Sequence, residues 1–287
     1  MQTGWWPDIT YGHLYQLVAA NYMIDADRKR VSGPLVDRGV DTGVRLEIRP
    51  GGPVAAFQPT ASLMQLDRSI TLGQQATEEQ VDTAATVRTT AVFAPLALDP
   101  VAFLYDPQQH PDWRSLADIG RSGGPVLSAE SASIRYLIGS GILQGSQVDM
   151  SFTGAPDLMV QTGYKAAVGG FSTGDPWMYE HLQGVEARKL AYVYVANARG
   201  TQSYPNYRNQ MTILADRRAE LAPCLQRLVP VMQRAAADFM RHPDAVNAVI
   251  ARLTKDFDAP TGHTVAKGTY GLTVMRTDRI VADGFYE

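Results

Sequence analysis

The side chains best suited to chemistry in this chain are two adjacent tryptophans and a carboxylate, in Gly4-Trp5-Trp6-Pro7-Asp8-Ile9-Thr10-Tyr11-Gly12. Gly4 and Pro7 punctuate a turn, and from Leu14 the apolar residues Leu14, Leu17, Val18 and Tyr22 recur at helical spacing. The tryptophans therefore fall between a strand end and a helix, the place where open α/β sheets bind ligands. Aromatic faces there offer large contact area and attract rings and cations, while Asp8 accepts hydrogen bonds. The competing reading is that one indole packs in the core.

Two later segments carry similar potential. Ser128-Ala129-Glu130-Ser131-Ala132-Ser133 follows a short apolar run and opens a helical pattern. Hydroxyls and free N–H groups at such a helix start suit an anion or the polar edge of a neutral ligand. Plain N-capping by Ser131 or Ser133 explains the serines equally well, and Glu130 disfavours a strong anion. Gly174-Asp175-Pro176-Trp177 places another tryptophan and carboxylate beyond a strand; Asp175 also fits a helix cap with Pro176 at the first helical position, and capping and lining are compatible. Trp5, Trp6 and Trp177 could sandwich a flat or cationic ligand whose donors meet Asp8 and Asp175.

Other chemistry finds no support in the pattern. The five histidines, His13, His110, His181, His242 and His263, have no metal-ligand spacing. His13 alone lies near the aromatic turn. The single cysteine, Cys224, excludes an internal disulfide and, in an apolar helical stretch, is expected to be a buried inert thiol. No nucleophile elbow, phosphate-binding loop or dinucleotide fingerprint follows a strand. With 287 residues, 45% hydrophobic and 19% charged, and a net charge of -3, the chain can fill two domain-sized cores and lacks the electrostatic footprint of a nucleic-acid binder. No run approaches the ~18 apolar residues of a membrane span. The first residues lack a basic segment followed by an apolar one; a removed leader with an added methionine fits this, as does a leaderless cytoplasmic relative.

The elements that must position these residues alternate. A loop rich in Asp, Gly and Arg leads to a strand over 44–49, then a helix over 54–65, a strand over 69–73, a helix over 78–85 and a strand over 89–94. Such βαβαβ order argues for a mainly parallel sheet. A strand over 100–107 precedes the polar, proline-broken stretch 108–112, expected to cross between lobes. A second unit follows, with helices over 115–119, 133–143 and 155–162 and strands over 125–127, 166–171 and 191–195; 204–207 is the expected return crossing. The remainder is mostly helical, including 244–256.

The Gly4-Trp5-Trp6-Pro7-Asp8 turn, the Thr89-Thr90-Ala91-Val92 strand, the Ser131 to Ser133 helix start and Asp175-Pro176-Trp177 together resemble substrate-binding proteins of ABC importers. The resemblance is to the group of sulfonate, nitrate and thiamine-pyrimidine binders, which also includes pyrimidine synthases of thiamine biosynthesis. It spans nearly the whole chain and implies a type II periplasmic-binding fold: two α/β lobes with a ligand cleft and two hinge crossings. Lobe 1 would be discontinuous, 1–108 with 207–287, and lobe 2 would be 109–206. It further implies a pocket lined by Trp5, Trp6, Asp8 and Tyr11, by Ser131 and Ser133, and by Asp175 and Trp177, with Thr60 and Thr90 as weaker candidates. Expected partners are a small flat, nitrogen-containing or heteroaromatic ligand and membrane permease subunits. The expected protein is a monomer without cofactor or metal, extracytoplasmic as a secreted or lipid-anchored form, or cytoplasmic if Met1 is the native start. The enzymatic branch uses a lysine that holds pyridoxal phosphate and a histidine in the region matching 70–81; this chain has Gln74, Gln75, Glu78 and Glu79 there and neither Lys nor His. No catalysis is therefore expected, an enzyme on the same scaffold being the alternative.

Overall fold

A computed structural model describes residues 1–18, 21–129, 131–152, 154–184, 186–196 and 204–281. The chain divides into two compact units, one formed by Met1–Ala97 with Tyr207–Glu287 and the other by Leu98–Asn206. The first stretch of unit 1 holds α1 (Gly12–Gln16), β1 (Met23–Asp25), β2 (Arg30–Asp37), β3 (Val40–Ile48), α2 (Thr60–Leu66), β4 (Gly73–Gln75), α3 (Thr77–Thr83) and β5 (Thr89–Phe93). Unit 2 holds β6 (Val101–Tyr105), α4 (Leu116–Ser122), β7 (Val126–Leu127), α5 (Ala132–Gly139), β8 (Val148–Asp149), α6 (Pro156–Gln161), β9 (Ala167–Phe171), α7 (Asp175–Glu180) and β10 (Ala191–Tyr194). The chain then returns to unit 1 as β11 (Gln210–Leu214), α8 (Arg218–Arg241), α9 (Asp244–Asp256) and α10 (Val265–Thr277).

Unit 1 contains two three-stranded sheets, ordered β1-β2-β3 and β4-β11-β5. The first is an antiparallel meander where a loop was expected before residue 44. Gly33 and Pro34 interrupt the strand pattern of β2, and the structure absorbs Pro34 beside a shift of register against β3, which is where a residue without an N–H is tolerated. In the second sheet β11 inserts between β4 and β5 and runs antiparallel to both. The expected parallel sheet is corrected accordingly, because the returning segment supplies the middle strand. Residues 1–3 bridge the two sheets: Gln2 pairs in parallel with Arg49 on one side and Gly73 on the other. The expected helix over 54–65 is also broken, since Ala56 and Phe57 adopt left-handed backbone at φ 51° and 57° and α2 starts only after Pro59.

In unit 2 the sheet order is β10-β6-β9-β7-β8. Here β7 runs parallel to β8 and β9, whereas β6 is antiparallel to β9 and β10. Alternation along β6 sends Phe103 and Tyr105 into a core with Trp113, Ile119 and Leu137. Leu104 points into an opposite core with Leu127, Met159, Tyr164 and Tyr179. Both faces are buried, as helices on each side require. The 108–112 stretch does not cross between units. It is a turn inside unit 2, with His110 stacked on Trp113 at 3.6 Å between centroids and its backbone N–H donating to Asp106 O.

Helices α1, α8, α9 and α10 cover unit 1 and bury Leu14, Leu17, Met232, Phe239, Ile250 and Leu253. Within α8 the buried side chains are Leu221 and then Val231, Met232, Ala235, Ala236, Ala237, Phe239 and Met240, so the solvent side of its first turns carries Cys224, which is exposed. The expected buried thiol is thereby corrected: the residue sits beside the Leu221, Leu225, Leu228 stripe rather than on it. No helix among the described residues is long and apolar enough to cross a membrane. Where α1 meets α8, a Cβ on Gly12 would lie 2.1 Å from the Phe239 ring. Gly12→Ala is therefore expected to destabilise the protein by about 1–3 kcal/mol through overpacking, and urea unfolding of the variant checks it.

Candidate functional site

In unit 1 the N-terminal rung sets the geometry of the aromatic turn. Gln2 N donates to Leu72 O at 2.9 Å, Gln74 N to Gln2 O at 2.8 Å, and Thr3 N to Arg49 O at 2.8 Å. The chain then leaves the sheet at its carboxyl edge, where Gly4 N donates to Gln74 Oε1 at 2.8 Å. The Gln74 amide nitrogen is left buried and without a hydrogen-bond partner. Trp5 is 42% exposed and Trp6 only 7%, so the two indoles separate into a surface ring and a core ring. The Trp6 Nε1–H is likewise buried and unpartnered within the chain. Trp5 lies on Gly52, where a Cβ would approach the indole to 2.4 Å, and its ring tilts at 50° to that of Phe57 with centroids 6.0 Å apart.

Asp8 caps the next turn, accepting from Thr10 N at 2.9 Å and Thr10 Oγ1 at 2.8 Å. Asn209, at the entry to β11, donates to the same Thr10 hydroxyl at 3.2 Å. Arg208 reaches Glu78 at 3.0 Å, and Glu79 accepts from Ala76 N at 2.8 Å; burial raises the Glu79 carboxyl above the usual carboxylate range. Tyr11 is buried, and burial first, with the Asp8 charge second, pushes its phenol well above the ordinary value. Trp5, Trp6, Asp8 and Tyr11 are thus held on one edge with Gln74, Glu78, Glu79, Arg208 and Asn209. Arg208 and Asn209 reach this edge because β11 comes to lie beside β4, a pairing that no local spacing announces.

The two threonine candidates sit on α2 and β5. Thr60 opens α2 and packs its methyl against Gly73, to which a Cβ would come within 2.5 Å. Thr90 pairs with Ile213, and since Phe93 is the β5 residue nearest the start of β11, Thr90 lies three residues, roughly 10 Å, down the strand from the aromatic edge.

In unit 2 the loops after the parallel neighbours β7 and β9 leave the sheet at one edge. Ser131 caps α5, accepting from Ile134 N at 3.3 Å, and its hydroxyl meets that of Ser133 at 2.9 Å. Glu130 lies outside the described residues. Asp175 accepts from Phe171 N at 2.7 Å. Trp177 stacks on His181 at 4.0 Å and 14°, which occupies one of its faces. Tyr194 ends β10 with its hydroxyl donating to Ser172 Oγ at 3.1 Å; the Tyr192-Val193-Tyr194 alternation was the signal for it. Among the described residues no group of three or more His, Cys, Asp or Glu side chains is placed to hold a metal. A separate recess of about 240 Å³, lined by Pro34, Val36, Asp37, Val231 and Arg234 among others, contains none of these residues.

No protein-family model and no curated protein sequence matches the chain. Solved structures do. An ABC transporter structure from Parabacteroides distasonis superposes with a TM-score of 0.56 at 7% identity, covering 94% of this chain and 83% of that one. The periplasmic aliphatic sulphonate binding protein SsuA from Escherichia coli gives 0.50 at 15% identity, covering 81% and 82%. A Bordetella bronchiseptica protein gives 0.51 at 13%, covering 98% and 81%. The fold is that of a type II periplasmic binding protein. At these identities the likeness establishes the arrangement of the chain, with both units built as α/β lobes.

His13 stands one turn beyond the aromatic edge, buried, tilted against Phe93 at 5.8 Å and lining a void of about 10 Å³, near the lower limit for one water. Burial lowers its imidazole from 6.5 to about 4, so the folded protein resists a proton that the unfolded chain accepts. Stability is therefore unaffected above pH 6.5 and falls as the pH drops toward 4, by about 3 kcal/mol in all. His13→Gln is expected to remove that part of the pH dependence, read as the difference between the two unfolding free-energy curves from pH 4 to 7.5.

Proposed function

We propose that this chain is the solute-binding protein of an ABC importer, capturing a small flat, nitrogen-containing or heteroaromatic molecule between its two lobes and presenting the closed form to a membrane permease. The observation that carries the reading is the repetition of one design in each unit. In each unit neighbouring element ends bring together an indole, a carboxylate and a hydroxyl or amide group: Trp5 and Asp8 of the aromatic turn with Gln74 of β4 in unit 1, and Trp177 and Asp175 at the start of α7 with Ser131 before α5 in unit 2. The type II fold supports a binding role, and two of the structures it resembles are an ABC transporter structure and a periplasmic aliphatic sulphonate binding protein.

The chemistry of the edges favours a planar solute over a sulfonate. In unit 1 the guanidinium of Arg208 is engaged by Glu78 at 3.0 Å, with Glu79 and Asp8 nearby. A strong anion would meet more carboxylate than cation there. No catalysis is part of the reading, since the segment 70–81 contains no Lys or His to hold a cofactor. The protein acts outside the cytoplasm, as a monomer.

Tryptophan fluorescence titration against heteroaromatic amines, pyrimidines and alkanesulfonates tests the ligand class. Planar nitrogen compounds are expected to bind, and Trp177→Ala to weaken them by about 1–3 kcal/mol through lost stacking and area. Binding of sulfonates alone, with affinity intact in Trp177→Ala, would overturn the assignment. Capture by closure has its own signature: saturating ligand should shrink the molecule in small-angle scattering and, at a hundredfold excess over Kd, stabilise it by about 2.7 kcal/mol. A raised melting temperature with an unchanged scattering profile would refute closure.

A further inference from the structure

We propose that Phe57 and Trp5 form an aromatic notch that receives the planar ring of the solute, and that the turn carrying Phe57 is kept in an unfavourable backbone conformation for this purpose. The proposal rests on the solute-binding reading and specifies which side chains recognise the ring. Phe57 is 70% exposed, so folding gains little from it. Its backbone nevertheless sits at φ 57°, directly after Ala56 at 51°, and Gly52 five residues earlier is at 61°. Left-handed backbone is disfavoured for any residue with a Cβ and especially for a bulky one. Such outliers persist where surrounding structure enforces them, and here the enforcement is visible: Ala56 N donates to Pro53 O at 3.1 Å and Phe57 N to Gly52 O at 2.9 Å.

The closed turn brings the phenyl ring to 6.0 Å from the Trp5 indole at a 50° tilt. This is the spacing and inclination of interacting aromatic pairs, and since both rings keep exposed surface a third ring can add to them by face and edge. The indole is seated directly on the Gly52 backbone, a close approach that only glycine permits, since a Cβ there would meet Cε3 at 2.4 Å. Electron-rich ring faces repel a sulfonate or carboxylate and attract the electron-poor face or polarised C–H edge of a nitrogen heterocycle. The notch is continuous with the candidate site, since Trp5 belongs to both.

The full chain and three variants, Phe57→Trp, Phe57→Leu and Phe57→Asn, are compared by calorimetric titration and thermal unfolding. The probes are pyridine-3-carboxamide and 4-aminopyrimidine as planar solutes and ethanesulfonate and glycine betaine as non-planar ones. The planar probes are expected to bind the wild type and Phe57→Trp within about twofold of each other, and to bind Phe57→Leu and Phe57→Asn at least fivefold more weakly. Asn tolerates left-handed backbone, so unliganded Phe57→Asn is expected to melt at a higher temperature than the wild type, which separates lost recognition from lost folding. Equal affinity of the planar probes for the wild type, Phe57→Leu and Phe57→Asn would overturn the notch and leave the planar-solute reading standing. Binding of the non-planar probes alone would overturn the notch together with the ligand class, while leaving a solute-binding protein.

Discussion

The threading of residues 1–3 between two separate sheets is the constraint on which unit 1 depends. Gln2 pairs on both sides at once, and its side-chain amide adds bonds to Thr3 O, Arg49 O and Pro50 O at 2.9–3.1 Å. These contacts tie the carboxyl end of β3 to the amino end of β4, two segments more than twenty residues apart in sequence. Arg49 is fixed in turn by Glu47 at 2.5 Å and Asp67 at 2.7 Å. Bonds from Ser69 and Arg49 hold the Asp67 carboxyl down to about 2. Once the rung is in register, the turn from Gly4 to Asp8 has nowhere to emerge except at the sheet edge, over Gly51 and Gly52.

Unit 2 reaches a comparable edge by another route. Its parallel neighbours β7 and β9 approach so closely that a Cβ on Gly169 would lie 2.8 Å from Ser128 Oγ, which places the serine loop and the Asp175 loop side by side. Both loops then spend polar groups on their own geometry, Ser131 as a cap and Asp175 on the Phe171 N–H. Capping and recognition draw on the same residue types because both need acceptors at strand ends and helix starts.

The local elements were legible where pattern and chain direction agree. Helix 244–256 coincides with α9, and the strands at 89–94, 100–107 and 166–171 differ from β5, β6 and β9 by a few residues, since each is a short apolar run bounded by Gly, Pro or Asp. The aromatic turn was visible because two tryptophans between Gly4 and Pro7 fit no amphipathic element. What stayed hidden depends on distant partners. The insertion of β11 between β4 and β5 makes Arg208 and Asn209 neighbours of the turn, and no spacing near residue 74 announces it. The crossing was read at 108–112 from polarity and proline, yet His110 uses those residues to close a turn onto Trp113, and the chain changes unit near Ala97 instead. Phe57 belongs by its pattern to the apolar face of a helix over 54–65, and its left-handed backbone contradicts that propensity; only the bonds from Ala56 and Phe57 to Pro53 and Gly52 reveal the turn.

Charge follows a different logic from aromaticity in this molecule. In unit 1 Arg208 is matched by Glu78, Glu79 is turned onto the Ala76 N–H, and Asp8 accepts twice from Thr10. In unit 2 Asp175 is committed to its own loop. Ionic groups at these edges are therefore balanced by the chain itself, and their desolvation cost is met by local partners. Aromatic surface is left exposed instead, on Trp5 and Phe57, while the unpartnered amide and indole donors of Gln74 and Trp6 lie buried behind it. An edge whose charges are neutralised within the chain is left with shape and aromatic contact rather than ion pairing as a means of discrimination, and contacts of that kind weaken little with salt because they do not depend on exposed ion pairs.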